Sequence, residues 1–365
     1  LRHLYDAVVY TVGAQADRQM GIPGEFLPGS LSATEFVAWC NGHPDFVSLN
    51  PDLSVPSVAV IGMGNVALDV ARILAKSGEE LHPSDMAEHA LSALRASQIR
   101  DIYILGRRGP VQAKWTLPEL KEMGHLEVAD LVVQQDAMHL DAHSEKERAT
   151  DKIAAKNFAQ LQVYAARLIE NKPRRVHFRF WASPIEVCET NGRASCLRIE
   201  QTRLDETGKL RGTGLFETIP VGMVLRSVGY KGVALPGLPF DETNGVIPNQ
   251  KGRIYHPEAG HFIQHEYVAG WIKRGATGVI GTNKMCGVET AHSVLEDLRQ
   301  TAPRAYSQED VSALLHRRKT RFLTFNDWEV LDEHEKEQGT ASGRPRIKVV
   351  EAEKALKIAS QRKNV

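Results

Sequence analysis

Glycine and alanine residues follow a short apolar run at a spacing that could hold a dinucleotide. Residues 58–61 lead into Gly62, Gly64 and Ala67, which form a G-x-G-x-x-A turn ahead of a helical pattern. In such a turn the first glycine permits the sharp bend, the second lets the backbone approach a pyrophosphate, and the alanine lets helix and strand pack closely. The helix N-terminus offers free N–H groups and the positive end of its dipole to phosphates. The motif alone is a weak indication, but here it lies between a strand and a helix, which is the context it requires.

Two arginines follow the next apolar run. Residues 102–105 end at Gly106, and Arg107 and Arg108 come directly after it. An NAD site places an acidic residue at such a strand end to bind the ribose 2′-hydroxyl, whereas guanidinium groups match a phosphate, so the pair predicts NADP. The alternative is a solvated pair in a surface loop, because charged side chains are mostly exposed. The interval from Gly62 to Gly106 is wider than the usual distance of about 20 residues, and an inserted helical segment explains it.

The composition is that of an ordinary globular protein. The chain has 365 residues, of which 42% are hydrophobic and 25% charged, and its 45 basic residues balance 45 acidic ones. This balance gives no indication of a nucleic-acid or anionic membrane partner. No apolar run approaches the roughly 18–20 residues of a membrane helix, so we expect no membrane span.

The cysteines show no spacing that would bind a metal or form a redox motif. Because there is no C-x-x-C pair, we expect no zinc site, no iron–sulfur cluster and no catalytic dithiol. Each cysteine is interpreted as a small buried hydrophobe in a reducing compartment. The four are Cys40, Cys188, Cys196 and Cys286.

Apolar periodicity predicts alternating strands and helices around these motifs. The first strand should be buried and end at Gly13. The predicted strands cover residues 4–13, 58–61, 102–105, 176–180, 183–189, 194–203, 221–228 and 267–270, with a hairpin or loop over 205–214. The predicted helices cover residues 34–41, 65–76, 83–97, 142–171 and 287–300, and the chain from about 302 onward is polar and helical.

Four motifs in order resemble the adrenodoxin reductase family, which includes bacterial ferredoxin–NADP reductases of the same type. They are GMGNVALD at 62–69, GRRGP at 106–110, GWIKRG at 270–275 and GVIGTNK at 278–284. The resemblance implies an α/β fold of two doubly wound, Rossmann-like domains, with an NADP domain inserted into an FAD domain. The implied division is residues 1–30 for the first part of the FAD domain, 31–230 for the NADP domain, 231–302 for the second part of the FAD domain, and 303–365 for a helical extension.

The family opens with an FAD-binding βαβ unit that this sequence does not contain. The sequence starts near the last strand of that half, at Tyr5 to Gly13. We therefore expect a fragment or truncated product in which the FAD domain is only partly present.

The activity implied by the resemblance is that of an NADPH:ferredoxin oxidoreductase. Hydride transfer between NADP(H) and FAD would be followed by one-electron transfer to a small acidic iron–sulfur ferredoxin. One alternative is a truncated, catalytically silent NADP-binding module. Another is a flavoprotein electron-input subunit of the glutamate synthase type. The expected location is the cytoplasm, or the mitochondrial matrix in a eukaryote.

The resemblance also implies roles for residues near the coenzyme. Glu119 would hydrogen-bond the nicotinamide carboxamide and count as a catalytic residue. The alternative, which can coexist, is a helix capping box with Thr116. Asn65 would donate to the pyrophosphate or the nicotinamide ribose, or merely cap its helix. Val66 and Ala67 would complete the phosphate-binding turn.

On the flavin side, the resemblance places Trp271 beside the flavin ring as the second catalytic residue, or else in the core as a packed aromatic. Gly13 would let FAD pass close to the backbone, unless it merely ends a strand. A glycine-rich turn would point backbone N–H groups at the flavin, and its residues are Gly278, Val279, Ile280, Gly281 and Thr282. Lys121 matches a basic position where the ferredoxin would dock.

Overall fold

The computed structural model describes residues 2, 4–278, 280–300 and 311–360. Among these the chain forms two compact units. The central unit consists of Gln19–Val228 and Phe325–Val365, and the flanking unit of Leu1–Arg18 and Gly229–Thr324. Residues 19–30 and 325–365 thus belong with the central unit, whereas the sequence-based boundaries lie at 30, 230 and 302. The α/β class is confirmed, and the division by cofactor stays a prediction.

Strands and helices alternate along most of the described chain. The strands are β1 (Val8–Tyr10), β2 (Ala16–Asp17), β3 (Ser30–Ser32), β4 (Ser57–Ile61), β5 (Asp101–Leu105), β6 (Ala129–Val133), β7 (Arg174–Arg179), β8 (Ala182–Thr190), β9 (Arg193–Leu204), β10 (Leu210–Pro220), β11 (Met223–Arg226), β12 (Tyr230–Lys231), β13 (Asn249–Gln250), β14 (Arg253–His256) and β15 (His261–Val268). The helices are α1 (Ala33–Asn41), α2 (Asn65–Ala75), α3 (Gly78–Leu81), α4 (Glu88–Arg95), α5 (Leu117–Glu122), α6 (Ala142–Thr150), α7 (Lys152–Ala165), α8 (Trp271–Arg274), α9 (Ile280–Arg299), α10 (Val311–Arg317), α11 (Phe325–Ala341) and α12 (Ala352–Ser360).

A parallel sheet forms the centre of the central unit, with the strand order β3-β11-β4-β5-β7-β6. Val58 and Val60 pack with α2 in one core, while Ala59 and Ile61 face a second core on the opposite side of the sheet. Because β5 and β11 lie on opposite sides of β4, the order of the strands reverses there. Open α/β sheets bind ligands at such a point, beyond the carboxyl ends of the strands.

The second face of this sheet is covered by an antiparallel sheet of order β10-β9-β8. The sequence predicts β8 and β9 well, and the hairpin alternative for the polar stretch 205–214 is confirmed by the turn between β9 and β10. The extent of β10 is missed, because no strand is predicted over 215–220. In the structure β10 begins at Leu210, and its pairing with β9 shifts between Gly212 and Phe216. This small sheet is the platform on which the loop after β5 rests.

The flanking unit contains a four-stranded sheet of order β1-β15-β14-β13 and the ribbon β2–β12. Its core consists of Ile247, Ile254, Val268 and Ile272. The prediction of a buried strand over 4–13 is wrong, because β1 is short, lies at the edge of the sheet, and leaves Val9 43% exposed. An apolar run gives no information about whether its outer face is covered.

Three predicted helices differ in their bounds. The helix over 83–97 is limited to α4, Glu88–Arg95. The helix over 142–171 is broken at Asp151, whose side chain accepts hydrogen bonds from the N–H groups of Ile153 and Ala154 and so begins α7. The helix over 287–300 begins earlier, at Ile280. Glycine is unfavourable in helices, so Gly281 and Gly287 obscured the start of this helix in the sequence. Both residues lie within α9 in the structure.

The described part of the C-terminal segment is mostly helical, as predicted, with short non-helical stretches between α10, α11 and α12. Its last section is fixed to the central unit by a buried arginine. The side chain of Arg344 is 2% exposed and lies 2.6 Å from the Glu88 carboxylate. It also donates to the Ser84 carbonyl. A buried guanidinium needs partners of this kind, because an unpaired buried charge is strongly unfavourable.

Two of the cysteines form a disulfide, which corrects the interpretation of all four as isolated buried residues. Cys188 on β8 lies directly opposite Cys196 on β9, and the two are bonded. The pairing depends on the hairpin register, which the spacing of the cysteines alone does not reveal. Cys40 and Cys286 are free and buried, and burial raises the pKa of the Cys40 thiol to about 12.

Replacing Cys188 and Cys196 together by serine should lower the free energy of unfolding by about 2–3 kcal/mol in non-reducing buffer, because the cross-link restricts the unfolded chain. Chemical denaturation of both proteins measures the difference. Alkylation of the denatured, unreduced wild type should modify only Cys40 and Cys286. Modification of all four cysteines would show that the bond does not form.

The turn after β4 provides a second stability test. Gly62 has φ +139°, and an added Cβ would lie 2.2 Å from the Ser227 carbonyl oxygen. Gly62→Ala should therefore lower the free energy of unfolding by about 2–4 kcal/mol through backbone strain and overpacking. At Gly64, φ is −115° and an added Cβ meets nothing within 4 Å. Gly64→Ala should change the free energy of unfolding by only about 0.5 kcal/mol. If urea denaturation gave the same loss for both variants, the turn would not depend on glycine at position 62.

Candidate dinucleotide-binding site

The carboxyl end of β4 turns sharply between its two neighbouring strands. The Gly62 N–H donates to the Leu105 carbonyl at 2.9 Å, and the Ser227 N–H donates to the Ile61 carbonyl at 2.8 Å. These bonds extend the pairing of β4 with β5 and β11 by one residue past the strand ends. The motif predicts the tight turn, and the structure adds that the turn is fixed from both sides.

The N-terminus of α2 is open beyond this turn. Gly64 is its N-cap residue and no side chain caps it. The N–H groups of Asn65, Val66 and Ala67 lie in the first helical turn, where no intrahelical acceptor exists. Ala67 is fully buried, which fits its predicted packing role. An uncapped helix end, next to a glycine with open space where a side chain would be, fits a pyrophosphate.

The loop after β5 has a fixed backbone. Its carbonyl oxygens accept from the small sheet and the segment leading into it: Gly106 from the Ala182 N–H at 2.9 Å, Arg107 from the Thr202 hydroxyl at 2.7 Å, and Arg108 from the Trp181 N–H at 3.1 Å. Sequence reasoning missed these anchors. Neither Thr202 nor Trp181 could have been found from the sequence, because strict alternation from Leu197 and Ile199 places Thr202 on the outward side, whereas it is buried in the structure.

The side chains of Arg107 and Arg108 are exposed. Neither makes an ion pair or hydrogen bond with any residue that the structure describes. Two guanidinium groups on an immobilised backbone fit a phosphate at this position. The nearby basic residues Arg175 and Arg179, in contrast, pair with Asp101 at 2.9 Å and Glu217 at 2.5 Å.

The chain segment that leads into α5 is joined to the turn after β4. The Lys114 N–H donates to the Met63 carbonyl at 2.7 Å, and the Thr116 N–H donates to the Asn65 side-chain oxygen at 2.8 Å. Asn65 thus neither caps α2 nor keeps its oxygen free. Its side-chain N–H₂ donors remain for a ligand.

The predicted capping box of α5 is absent. Thr116 is the N-cap residue, but its side chain makes no capping bond. The Thr116 N–H already donates to the Asn65 side-chain oxygen. It is therefore not available to the Glu119 carboxylate, which would accept from it in a capping box. The Glu119 Oε2 atom is buried and has no hydrogen-bond partner among the described residues. This unpartnered carboxylate oxygen fits the predicted role of accepting from a ligand.

A second carboxylate lies near Glu119. Burial raises the pKa of Asp69, the Arg72 guanidinium opposes this, and the charge of Glu119 raises it further. Arg72 lies 2.7 Å from Asp69 and 3.5 Å from Glu122, so one cation joins α2 to α5. Sequence reasoning did not single out Asp69, although it lies within the motif at 62–69.

In the flanking unit, Trp271 begins α8 directly after Gly270, which has φ +77°. Its ring is stacked on Tyr230 with centroids 5.9 Å apart, and its Nε1 atom is buried without a partner in the described part of the chain. Buried indole N–H groups usually find an acceptor, although the core residue Trp115 also leaves its Nε1 without a partner among the described residues. The arrangement fits a ring ligand with acceptor atoms, as a flavin has.

The predicted glycine-rich turn is partly helical. Gly278 has φ +77°, and α9 begins at Ile280, so that Gly281 and Thr282 lie in the first helical turn. Their backbone N–H groups therefore point out of a helix N-terminus and not from a loop. Val279 lies outside the described residues.

Gly13 has φ +73°, and an added Cβ would meet nothing within 4 Å. The open space fits the close approach of a ligand to the backbone. It lies three residues beyond the end of β1 at Tyr10, so the alternative that it ends the strand is wrong.

In the part of the chain that the structure describes, none of the helices is long and apolar enough to cross a membrane.

Comparison with known proteins identifies the family. The chain is similar to the mitochondrial NADPH:adrenodoxin oxidoreductase of Arabidopsis thaliana, with 41% identity over 377 residues that cover 99% of this chain and 78% of that protein. It is 42% identical to the NADPH-ferredoxin reductase FprA of Mycobacterium tuberculosis over 372 residues, or 98% of this chain and 79% of that one. No protein-family model matches the chain.

The fold agrees with a solved structure. Mycobacterium tuberculosis FprA in complex with NADPH matches with a TM-score of 0.90 and 40% identity, over 98% of this chain and 79% of that chain. At this identity and coverage, the four sequence motifs and the fold lead to one conclusion: the chain belongs to the family of adrenodoxin reductases and FprA-type NADPH-ferredoxin reductases.

Proposed function

We propose that the protein is an NADPH:ferredoxin oxidoreductase that carries electrons from NADPH through FAD to a small iron–sulfur ferredoxin. The observation that carries this proposal is the unpaired arginine pair on a fixed loop beside an open helix N-terminus. The names of the relatives, which are NADPH-dependent reductases of adrenodoxin or ferredoxin, support it.

Arg107 and Arg108 would bind the 2′-phosphate of NADPH. Because their backbone carbonyls are already bonded, the loop does not have to fold around the ligand, and little ordering entropy opposes binding. Guanidinium forks bind phosphate oxygens with charge-assisted, often bidentate hydrogen bonds. NADH lacks this phosphate, so it would leave both cations solvated and gain nothing from them.

The N–H groups of Asn65, Val66 and Ala67 would bind the pyrophosphate at the N-terminus of α2. Gly64 leaves space there because it has no side chain. Glu119 would accept a hydrogen bond from the nicotinamide carboxamide N–H₂ at its unpartnered Oε2. Together these residues would hold the coenzyme at its two ends and its middle, which fixes the position of the nicotinamide ring.

FAD, when bound, accepts a hydride from NADPH and passes electrons singly to an iron–sulfur centre. The residues that would hold it are Trp271, Gly278, Ile280, Thr282 and Gly13. The Trp271 N–H would donate to an acceptor of the ring, and the α9 N-terminus would stabilise negative charge on it. No protein acid or base is required for the hydride step itself, because the cofactors carry that chemistry.

The domain assignment belongs to the same proposal. Residues 31–230 would bind NADP, and residues 1–30 with 231–302 would contribute to FAD binding. A location in the cytoplasm or the mitochondrial matrix stays a prediction from the sequence.

The activity is tested by expressing the protein and measuring its flavin content and NADPH oxidation with ferredoxin. Bound FAD and ferredoxin-dependent turnover are expected. Protein that binds NADPH but holds no flavin and turns nothing over would instead be the silent NADP-binding module.

Replacing Arg107 and Arg108 together by alanine should raise the KM for NADPH about 10- to 100-fold, because two charge-assisted contacts are lost. The KM for NADH should change less than about 3-fold, since that coenzyme has no phosphate for the pair to bind. Steady-state kinetics with both coenzymes measures the ratio.

Arg203→Ala is the matched control for this variant. Arg203 is exposed on β9 next to Thr202, so its loss removes a nearby positive charge without touching the loop after β5. Its KM for NADPH should stay within about 3-fold of wild type, because the attraction of an exposed charge that does not contact the ligand is screened by salt. Unchanged coenzyme preference in the Arg107/Arg108 variant would refute their role.

Lys121 is proposed to lie in the docking face for an acidic ferredoxin. It is exposed on α5, two residues beyond Glu119. Lys121→Glu should raise the KM for ferredoxin about 5-fold at low ionic strength, and the difference should shrink as salt screens the attraction. Lys209→Glu, at an exposed lysine beside β10, should have no such effect, and equal responses of the two variants would contradict a local docking face.

A further inference from the structure

Three consecutive residues ahead of α5 are each held by a hydrogen bond. The Lys114 N–H donates to the Met63 carbonyl and the Thr116 N–H donates to the Asn65 side-chain oxygen, at 2.7 and 2.8 Å. Between them, Trp115 is 1% exposed and its carbonyl accepts from the Asn157 side chain at 2.9 Å. The start of α5 is therefore fixed relative to the turn after β4.

The rest of α5 is held independently of Asn65. Leu120 is fully buried, and its carbonyl accepts from the Tyr164 hydroxyl at 2.9 Å. Loss of the Asn65 contact should consequently leave α5 in place. Loss of the Asn65 side chain would instead free the Thr116 N–H, which Glu119, the third residue of α5, could then use as a hydrogen-bond donor.

An N-cap residue followed by glutamate at the third helical position is the usual setting for a capping box, in which the glutamate accepts from the N-cap N–H. At Thr116 that N–H is already taken by Asn65, and the Glu119 Oε2 stays buried and unpartnered. An unpaired buried polar atom is unfavourable, so the carboxylate would turn to the Thr116 N–H if that group were released.

We propose that Asn65 is a positioning residue that occupies the Thr116 N–H and so keeps the Glu119 carboxylate available to the nicotinamide end of the coenzyme. This inference rests on the proposed function, in which Glu119 binds the carboxamide. One motif would then have two roles. The backbone N–H groups of residues 65–67 would bind the phosphates, and the side-chain oxygen of Asn65 would accept from the N-cap residue of α5, a helix outside the motif.

The first test compares two ligands by calorimetry. NADP⁺ carries the nicotinamide, whereas 2′,5′-ADP carries only the adenosine end with its phosphates. Asn65→Ala should weaken NADP⁺ binding about 5-fold and leave 2′,5′-ADP binding within about 2-fold of wild type, the size expected for one lost hydrogen bond at the nicotinamide end. If both ligands weaken equally, Asn65 acts on the phosphates and the proposal is overturned.

The second test is a double-mutant cycle on the hydride-transfer rate. Asn65→Ala and Glu119→Ala should each slow the step about 10-fold, and the double variant should be no slower than Glu119→Ala alone, because both changes remove one interaction. If the double variant were slowed by the product of the two single effects, the proposal would be overturned.

Asn65→Asp provides the conservative rescue. It retains an acceptor oxygen for the Thr116 N–H, so the rate should recover most of what Asn65→Ala loses. Its added negative charge near the phosphates should raise the KM for NADPH. An aspartate variant as slow as the alanine variant would contradict a role through Thr116.

A crystal structure of Asn65→Ala gives a readout independent of activity. The Glu119 carboxylate should lie within hydrogen-bond distance of the Thr116 N–H, and a carboxylate that still accepts nothing would overturn the proposal. These outcomes differ from those expected if the proposed function itself were wrong. In that case the wild-type protein would not bind 2′,5′-ADP, or its binding would not depend on Arg107 and Arg108.

Discussion

The turn after β4 requires a backbone conformation that only glycine adopts without strain. Gly62, at φ +139°, lies against the Ser227 carbonyl and donates to the Leu105 carbonyl, so it holds the ends of three parallel strands in register. The next residues of the turn, Met63 and Asn65, fix the segment ahead of α5. The turn after β4 leads directly into the open end of α2. Hydrogen bonds also connect residues 62–65 to the end of β5 and to the segment ahead of α5. A small displacement there would move every group proposed to contact the coenzyme.

Local patterns sufficed to predict the features that adjacent residues determine. The strands β4 and β5 and the glycine turn between β4 and α2 are contained in short stretches of sequence, and the structure confirms them. The role of the arginine pair stays a prediction. The alternation along 176–180 likewise matched β7, where Val176 and Phe178 are buried. Such features depend on side-chain period and glycine conformation, which need no knowledge of distant contacts.

Three of the predictions that failed depended on the presence or absence of a distant partner. The capping box of α5 was locally plausible, but its donor is taken by Asn65, 51 residues away. Cys188 and Cys196 meet only because the β8–β9 hairpin has one register. The exposure of Val9 depends on what lies beside an edge strand. In these three cases a tertiary contact or its absence decided the outcome, and no short window of a single sequence encodes such a contact.

The arginine pair shows how the fold separates the requirements of stability from those of binding. Elsewhere in the central unit a buried arginine is fully engaged: Arg226 donates to the carbonyls of Glu25 and Ser30 and lies 3.7 Å from the Glu25 carboxylate. Arg107 and Arg108 have their carbonyls bonded instead, and their side chains make no ion pair or hydrogen bond with a described residue. In the proposed site, a phosphate could therefore form charge-assisted hydrogen bonds with them without first breaking an ion pair. A carboxylate partner would have made the loop more stable but would have competed with the same phosphate for the arginines, so the unpaired state would favour phosphate binding.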